Sequence, residues 1–313
     1  LVSTGSGGEL YMVNFDGSGL NKVASGVIDP AVSPDGTRVA FARWGGAEFG
    51  ALFVLDLISG QERVVARDIR QPKSPTWSPD GSKIVINFQH GGLRDPRPEC
   101  RVFDFDDGIN LPENINITSA NVRDDGTVRI CFIRAEDLRW FLREIDVVTG
   151  EFEDLPSAQY AFSPTWDPEN PWRLVYSGPK GLMQFDVDSR REWPLTSDLR
   201  DKEPVFSPDG QRLAITYRQH DHWEVYVFDL TTGERQRLTK PPILASPQYN
   251  SAAPAWSPDG SKLAFVTDRT GSWEIWVMNA DGSDPRPLLS PHMQSQIPLN
   301  YAGVNERLLN WLP

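Results

Sequence analysis

Ser257-Pro258-Asp259-Gly260-Ser261-Lys262-Leu263-Ala264-Phe265 is a turn leading into an apolar run. Pro258 presets φ, Asp259 bonds to nearby backbone, and Gly260 takes positive φ without penalty. Before it stands a short strand, Pro254-Ala255-Trp256, and after it a second run, Trp273-Glu274-Ile275-Trp276-Val277-Met278. Asp281-Gly282 then turns the chain into a last strand, Arg286-Pro287-Leu288-Leu289. Runs rich in aromatic and β-branched residues between such turns predict one four-stranded antiparallel unit.

The unit recurs. Its first turn reads Ser33-Pro34-Asp35-Gly36, Ser78-Pro79-Asp80-Gly81, Arg123-Asp124-Asp125-Gly126, Trp166-Asp167-Pro168-Glu169, Ser207-Pro208-Asp209-Gly210 and Ser257-Pro258-Asp259-Gly260. The spacing is roughly 40 to 50 residues, that of propeller blades. A second ruler, the polar residue closing the third strand, falls at Asn14, Asp56, Asp104, Asp146, Asp186, Asp229 and Asn279. Seven ends against six turns imply that the termini share a blade, 9–24 supplying two strands and 296–312 the other two. In that share Pro298 stands where Pro254 stands, and Arg307–Trp311 echoes Lys262–Phe265. The expectation is one all-β domain over 1–313: a seven-bladed β-propeller of four-stranded antiparallel blades with a shared closing blade.

The pattern P-x-W-S-P-D-G-x-x-[LI]-[AV]-[FI], followed by an [IV]-[WY]-V-[MF]-[ND] strand, resembles the TolB-like, WD40-like (PD40) β-propeller repeat. Four blades match closely and degenerate copies cover the rest. The resemblance implies the architecture and leaves the activity open, because the family includes binding scaffolds, translocation-associated proteins, peptidase gating domains and lyases.

Pro30, Pro75, Pro164, Pro204 and Pro254 begin the innermost strands, where a proline leaves no ladder bond unmade. Val32, Trp77, Trp166, Phe206 and Trp256 follow two residues later on one sheet face and are read as inter-blade packing. Asp104-Phe105-Asp106-Asp107-Gly108 has the composition of a calcium loop but no closing Glu, and is read as a hairpin turn. Asn116-Ile117-Thr118 matches a glycosylation acceptor.

A net charge of -12 argues against a nucleic-acid partner and an anionic membrane surface. No apolar run approaches 18 residues, so no membrane span is expected. Cys100 and Cys131, without a CxxC, are read as two ordinary thiols in preference to a disulfide. The sequence opens on Leu1 with no charged n-region or apolar h-region, which is read as a processed or trimmed end. An extracytoplasmic location, periplasmic or secreted, is expected from the resemblance.

Loops joining strand four to the next strand one, and strand two to strand three, emerge on one face. Their formal charges nearly cancel, unlike those of the whole chain. Residues following strand two should ring the channel mouth: Arg43 and Trp44, His90, Arg134, Arg218 and Arg269, with Trp223 and Tyr249 as contact aromatics. A ring of guanidinium groups can grip carboxylates bidentately, such as a peptide C-terminus or an acidic sugar. Gln219-His220-Asp221-His222 is the sharpest alternative, His220 and His222 binding one divalent metal with His90 or His292, as polysaccharide-lyase propellers use His and Gln ligands. The leading expectation is a monomeric, cofactor-free binding scaffold for a protein, peptide or glycan. The second is a metal-dependent polysaccharide lyase or hydrolase. No G-x-S-x-G elbow, Walker loop or dinucleotide fingerprint is present.

Overall fold

The computed structural model describes residues 1–45, 48–90, 99–104, 109, 111, 115–134, 139–157, 160–241, 248–303 and 306–312. The chain divides into two compact units, one of residues 1–88 and 141–313, the other of residues 89–140.

In the larger unit β1 (Val2–Ser3), β2 (Gly8–Met12) and the first half of β3 (Asn21–Val32) form a meander. The second half of β3 pairs with β4 (Arg38–Trp44), which continues into β5 (Phe49–Asp56) and β6 (Glu62–Arg70). One strand thus ends one sheet and begins the next. The following sheet joins β7 (Lys73–Trp77) and β8 (Lys83–His90) to strands from beyond residue 138.

In chain order the smaller unit comes between β8 and these later strands. β9 (Glu99–Asp104), β10 (Ile115–Val122) and β11 (Thr127–Arg134) form a three-stranded sheet in the order β10-β11-β9. The chain then returns as β12 (Arg139–Asp146) beside β8 and β13 (Phe152–Leu155) beside β12. Three regular sheets follow: β14 (Phe162–Trp166), β15 (Arg173–Gly178), β16 (Gly181–Asp186) and β17 (Arg191–Pro194); β18 (Asp201–Phe206), β19 (Arg212–Arg218), β20 (Trp223–Asp229) and β21 (Arg235–Arg237); β22 (Ser251–Trp256), β23 (Lys262–Thr267), β24 (Glu274–Asn279) and β25 (Arg286–Pro287). A single turn, α1 (Pro291–Gln294), capped by Ser290, precedes the C-terminal segment.

Among the described residues the larger unit therefore holds six blade-like sheets, and the seven-blade count is not reproduced. Asp104 ends β9 and the Arg123–Gly126 turn joins β10 to β11, both in the smaller unit, so each ruler includes one mark outside the six sheets; the Asp104–Gly108 hairpin turn expected from sequence lies outside the described residues. The physical reason is that an Asp-Gly turn serves any tight antiparallel pair, whichever sheet the pair joins. Within this smaller sheet Cys131 lies directly opposite Cys100, and the two form a disulfide. The reading of two free thiols is corrected by this register, which nothing in the 31-residue separation announces.

The termini share their sheet differently from the expected two and two. Val2 bridges Leu309, and Ser3 N–H donates to the Leu308 carbonyl at 2.7 Å, so three N-terminal strands meet one C-terminal segment. The Val2–Ser3 strand leaves no sequence pattern because it is only two residues long.

The turn chemistry is as the residue types dictate. Ser257 Oγ donates to Asp259, whose carboxylate accepts the Ser261 N–H at 3.0 Å, while Gly260 takes φ +68°. The aromatic residues at strand ends lock neighbouring sheets. Trp77 Nε1 donates to the Ala31 carbonyl, and Trp256 Nε1 to that of Val205. Arg38 stacks over Trp77 at 4.8 Å and Arg212 over Trp256 at 4.7 Å. Both indoles are buried, each contributing about 2–3 kcal/mol.

Candidate functional site

The first strands of successive sheets share a distortion. Asp29, Ser74, Ser163, Glu203 and Ala253, each just before the strand's proline, take φ of +49°, +49°, +49°, +51° and +50°. Each sits at a bulge in the pairing of its strand with the next. Left-handed backbone at a non-glycine residue costs about 1–2 kcal/mol, so five repeats need compensation from their surroundings. Their N–H groups find acceptors on the preceding sheet: Ser74 on Asp29, Glu203 on Ser177, and Ala253 on Thr216.

The C-terminal segment meets this array. The Arg307 guanidinium donates to the carbonyls of Pro75 and Pro164, both at 3.0 Å, and the Arg307 backbone N–H donates to Asp29. Glu203 accepts the N–H of Glu306 at 3.0 Å and the hydroxyls of Thr216 and Tyr301. Asn310 Nδ2 donates to the Pro30 carbonyl, and Trp311 Nε1 to that of Ala255. Burial, helped by the Glu203 carboxylate, raises the Tyr301 phenol well above its ordinary value. Burial lowers Arg307 from its usual range, against the favourable fields of Asp29 and Glu203. Sequence reasoning singled out the prolines and passed over their neighbours. The available signal was the polar residue before four of the five prolines and a lone arginine in the C-terminal run.

Beside Arg307 lies a cavity of about 310 Å3, walled by Trp166, Phe206, Trp256 and Trp311 and edged by turn prolines such as Pro34 and Pro208. A second cavity, of about 610 Å3, lies at the β4–β5 connection and is lined by Arg43, Trp44, Phe49 and Arg67. Here Trp44 and Phe49 are 36% and 48% exposed, large rings held at the surface. Both are fixed from behind. Trp44 Nε1 donates to the Pro72 carbonyl at 3.0 Å, and Arg70, paired with Glu48, stacks under Phe49. Arg43 is paired with Glu62 at 3.0 Å and stacks over Phe53.

The other candidates separate into groups. Arg218 stacks on Trp223 at 4.7 Å, and Arg269 on Tyr249 at 4.8 Å. His90 and Arg134 fall in the smaller unit; the Arg134 side chain lies outside the described residues. His222 is buried with both ring nitrogens engaged, Nδ1 with Asp221 and Nε2 with Glu224, each at 2.8 Å. Glu224, fully buried, also accepts from Arg237. His220 is exposed, and His292 contacts Gln296 within its own segment. Among the described residues no group of three His, Cys, Asp or Glu side chains is placed to hold a metal. No helix of the described residues is long and apolar enough to cross a membrane.

The family described as TolB beta propeller domain (PD40) matches residues 197–293. A 62-residue segment is 39% identical to the Tol-Pal system protein TolB of Coxiella burnetii, covering 20% of this chain and 14% of that protein. Among solved structures, TolB from Acinetobacter baumannii aligns with a TM-score of 0.63 at 16% identity, over 88% of this chain and 58% of the other. A putative TolB from Agrobacterium tumefaciens aligns at 0.62 with 17% identity, over 90% and 88%. At such identities the two structural likenesses establish a common fold.

Proposed function

We propose, from the premise that this chain belongs to the TolB-like β-propeller family, that it is a non-enzymatic scaffold binding a protein or peptide partner. In this reading the propeller has six blades, and residues 89–140 are an insert within one of them. The observation that carries it is the pair of exposed rings, Trp44 and Phe49, held rigid over a cavity of about 610 Å3 by Arg70 and the Pro72 carbonyl. Large aromatic side chains fixed before association lose little entropy on binding, the property of interface anchors. The name of the Coxiella relative places that protein in the Tol-Pal system, which supports a protein as the partner here. No cofactor is invoked. The Cys100–Cys131 disulfide supports an extracytoplasmic location, since such bonds persist in oxidising compartments.

A metal-dependent lyase would need His222 as a ligand, and its two nitrogens are already engaged by Asp221 and Glu224. Affinity capture from an envelope extract of the source organism tests the scaffold reading. The full chain should retain a partner that the W44A/F49A double variant loses by at least about tenfold. Equal retention by both proteins overturns the assignment of this surface.

A further inference from the structure

Between β21 and the turn after β24 runs a groove of about 680 Å3, lined by Arg237, Lys240, Tyr249, Arg269 and Asp281 among others. Its arginines differ in how they are satisfied. Arg235 is paired with Asp201, and Arg237 with Glu224. Arg269 has no carboxylate within ion-pair distance among the described residues, and its one hydrogen bond runs from Nε to Thr267 Oγ1 at 3.3 Å. Its faces are covered by Trp276 at 4.0 Å and Tyr249 at 4.8 Å. Glu274, on the same sheet, accepts from Trp276 Nε1 at 3.0 Å. Burial lowers the Arg269 pKa, while Tyr249 and Glu274 only partly offset that effect. A half-buried guanidinium, stacked and held flat with its Nη edge uncommitted, is arranged to receive a carboxylate in two parallel hydrogen bonds.

Residues of β21 line the same groove, and β21 is an edge strand. β21 pairs with β20 alone, so its other edge carries no strand among the described residues. Gln236 Nε2 reaches across to the Asp281 carbonyl at 3.1 Å, holding this side chain of β21 against the neighbouring turn. Free strand edges accept extended chains through main-chain hydrogen bonds, with side chains supplying selectivity. Lys240 adds an exposed cation to the same lining.

We propose that this groove binds an extended acidic peptide segment, one carboxylate seated on Arg269 and the backbone running along β21. The proposal rests on the scaffold reading and adds a second, chemically distinct contact to the Trp44–Phe49 surface. A sugar acid would satisfy Arg269 equally well but offers no backbone to the strand edge, which is why a peptide is favoured.

The test uses the full chain and three probes: capped triglutamate, capped triglutamine and trigalacturonate. Trp276, in contact with Arg269, supplies the fluorescence signal. Triglutamate should give a saturable change, weakened at least about tenfold in R269Q, with R269K recovering only part of it. Triglutamine and trigalacturonate should bind at least about tenfold more weakly than triglutamate. Undiminished binding by R269Q, equal binding of trigalacturonate, or no saturable response to triglutamate overturns the proposal. Equal melting temperatures of R269Q and the wild type exclude misfolding as the cause. A chain that loses its captured partner with W44A/F49A yet ignores triglutamate leaves the scaffold reading standing and removes only this groove.

Discussion

The indole N–H of Trp311 donates to the Ala255 carbonyl at 3.0 Å, the same bond that Trp256 makes to Val205 and Trp77 makes to Ala31. A residue three from the C-terminus thus repeats the device that joins interior sheets. It follows that W311A should lower stability by roughly 2–4 kcal/mol, and W311F by about 1–2 kcal/mol, since phenylalanine keeps packing but not the donor. Urea denaturation of the two variants checks the difference. Indistinguishable midpoints would make the terminal indole dispensable.

Arg307 answers two carbonyls and lies among Asp29, Glu203 and Glu306. R307M should destabilise by about 3–5 kcal/mol, because it leaves buried acceptors unpaired and carboxylates without their cation. R307K keeps the charge but cannot span both Pro75 and Pro164, so an intermediate loss is expected. A variant as stable as the wild type would show that this contact contributes little to folding.

Acid sensitivity should be concentrated in the turns. Hydrogen bonding from Ser33, and from Ser257 in its counterpart, lowers Asp35 and Asp259 from 3.8 to about 2. A carboxyl whose folded-state pKa is depressed contributes stability that is fully present above the unfolded value and lost as pH falls through the folded one. Urea midpoints should therefore hold down to about pH 4 and fall between about pH 4 and 2. The D35N/D259N variant should begin less stable and show a shallower fall across that window. An unchanged slope would locate the acid response elsewhere.

These turns show how much the sequence reveals. Ser-Pro-Asp-Gly is local chemistry, and the structure uses it as the residue types dictate, at Ser33 as at Ser257. Which strand a hairpin joins is not local. Arg123–Gly126 makes the same Asp-to-backbone bond, through Asp125 to the Thr127 N–H at 3.0 Å, within the smaller sheet. The pairing of β8 with β12 across about 50 residues left no local trace. Likewise, Arg43, Arg218 and Arg269 were recognisable as candidates, but their carboxylate or aromatic neighbours were set by register and packing.

The two histidines of the Gln219–His222 loop should behave differently. H220A removes an exposed ring and should change stability by less than about 0.5 kcal/mol. H222A takes one partner from fully buried Glu224 and should cost about 1–3 kcal/mol. Thermal shifts with and without EDTA decide the matter, since a chelator effect lost in either variant would point to a metal instead.

Reduction should act on the smaller unit. Opening Cys100–Cys131 frees a loop of 31 residues, worth about 3–4 kcal/mol by chain entropy. Hydrogen exchange should accelerate across 99–134 on adding reductant, while protection in β18–β20 stays as before. Uniform acceleration along the chain would show that the crosslink stabilises more than its own sheet.

The chain leaves one sheet after β8 and rejoins it at β12, its immediate hydrogen-bonded neighbour. Adjacent strands lie about 5 Å apart, a gap that an ordinary hairpin turn spans. Topologically, then, residues 89–140 stand in place of one strand-to-strand connection: the host sheet has the same four strands whatever is carried between its second and third. A two-residue Asn-Gly turn, or an unrelated module with closely spaced ends, meets the same boundary condition, which makes this position a natural graft point for protein engineering.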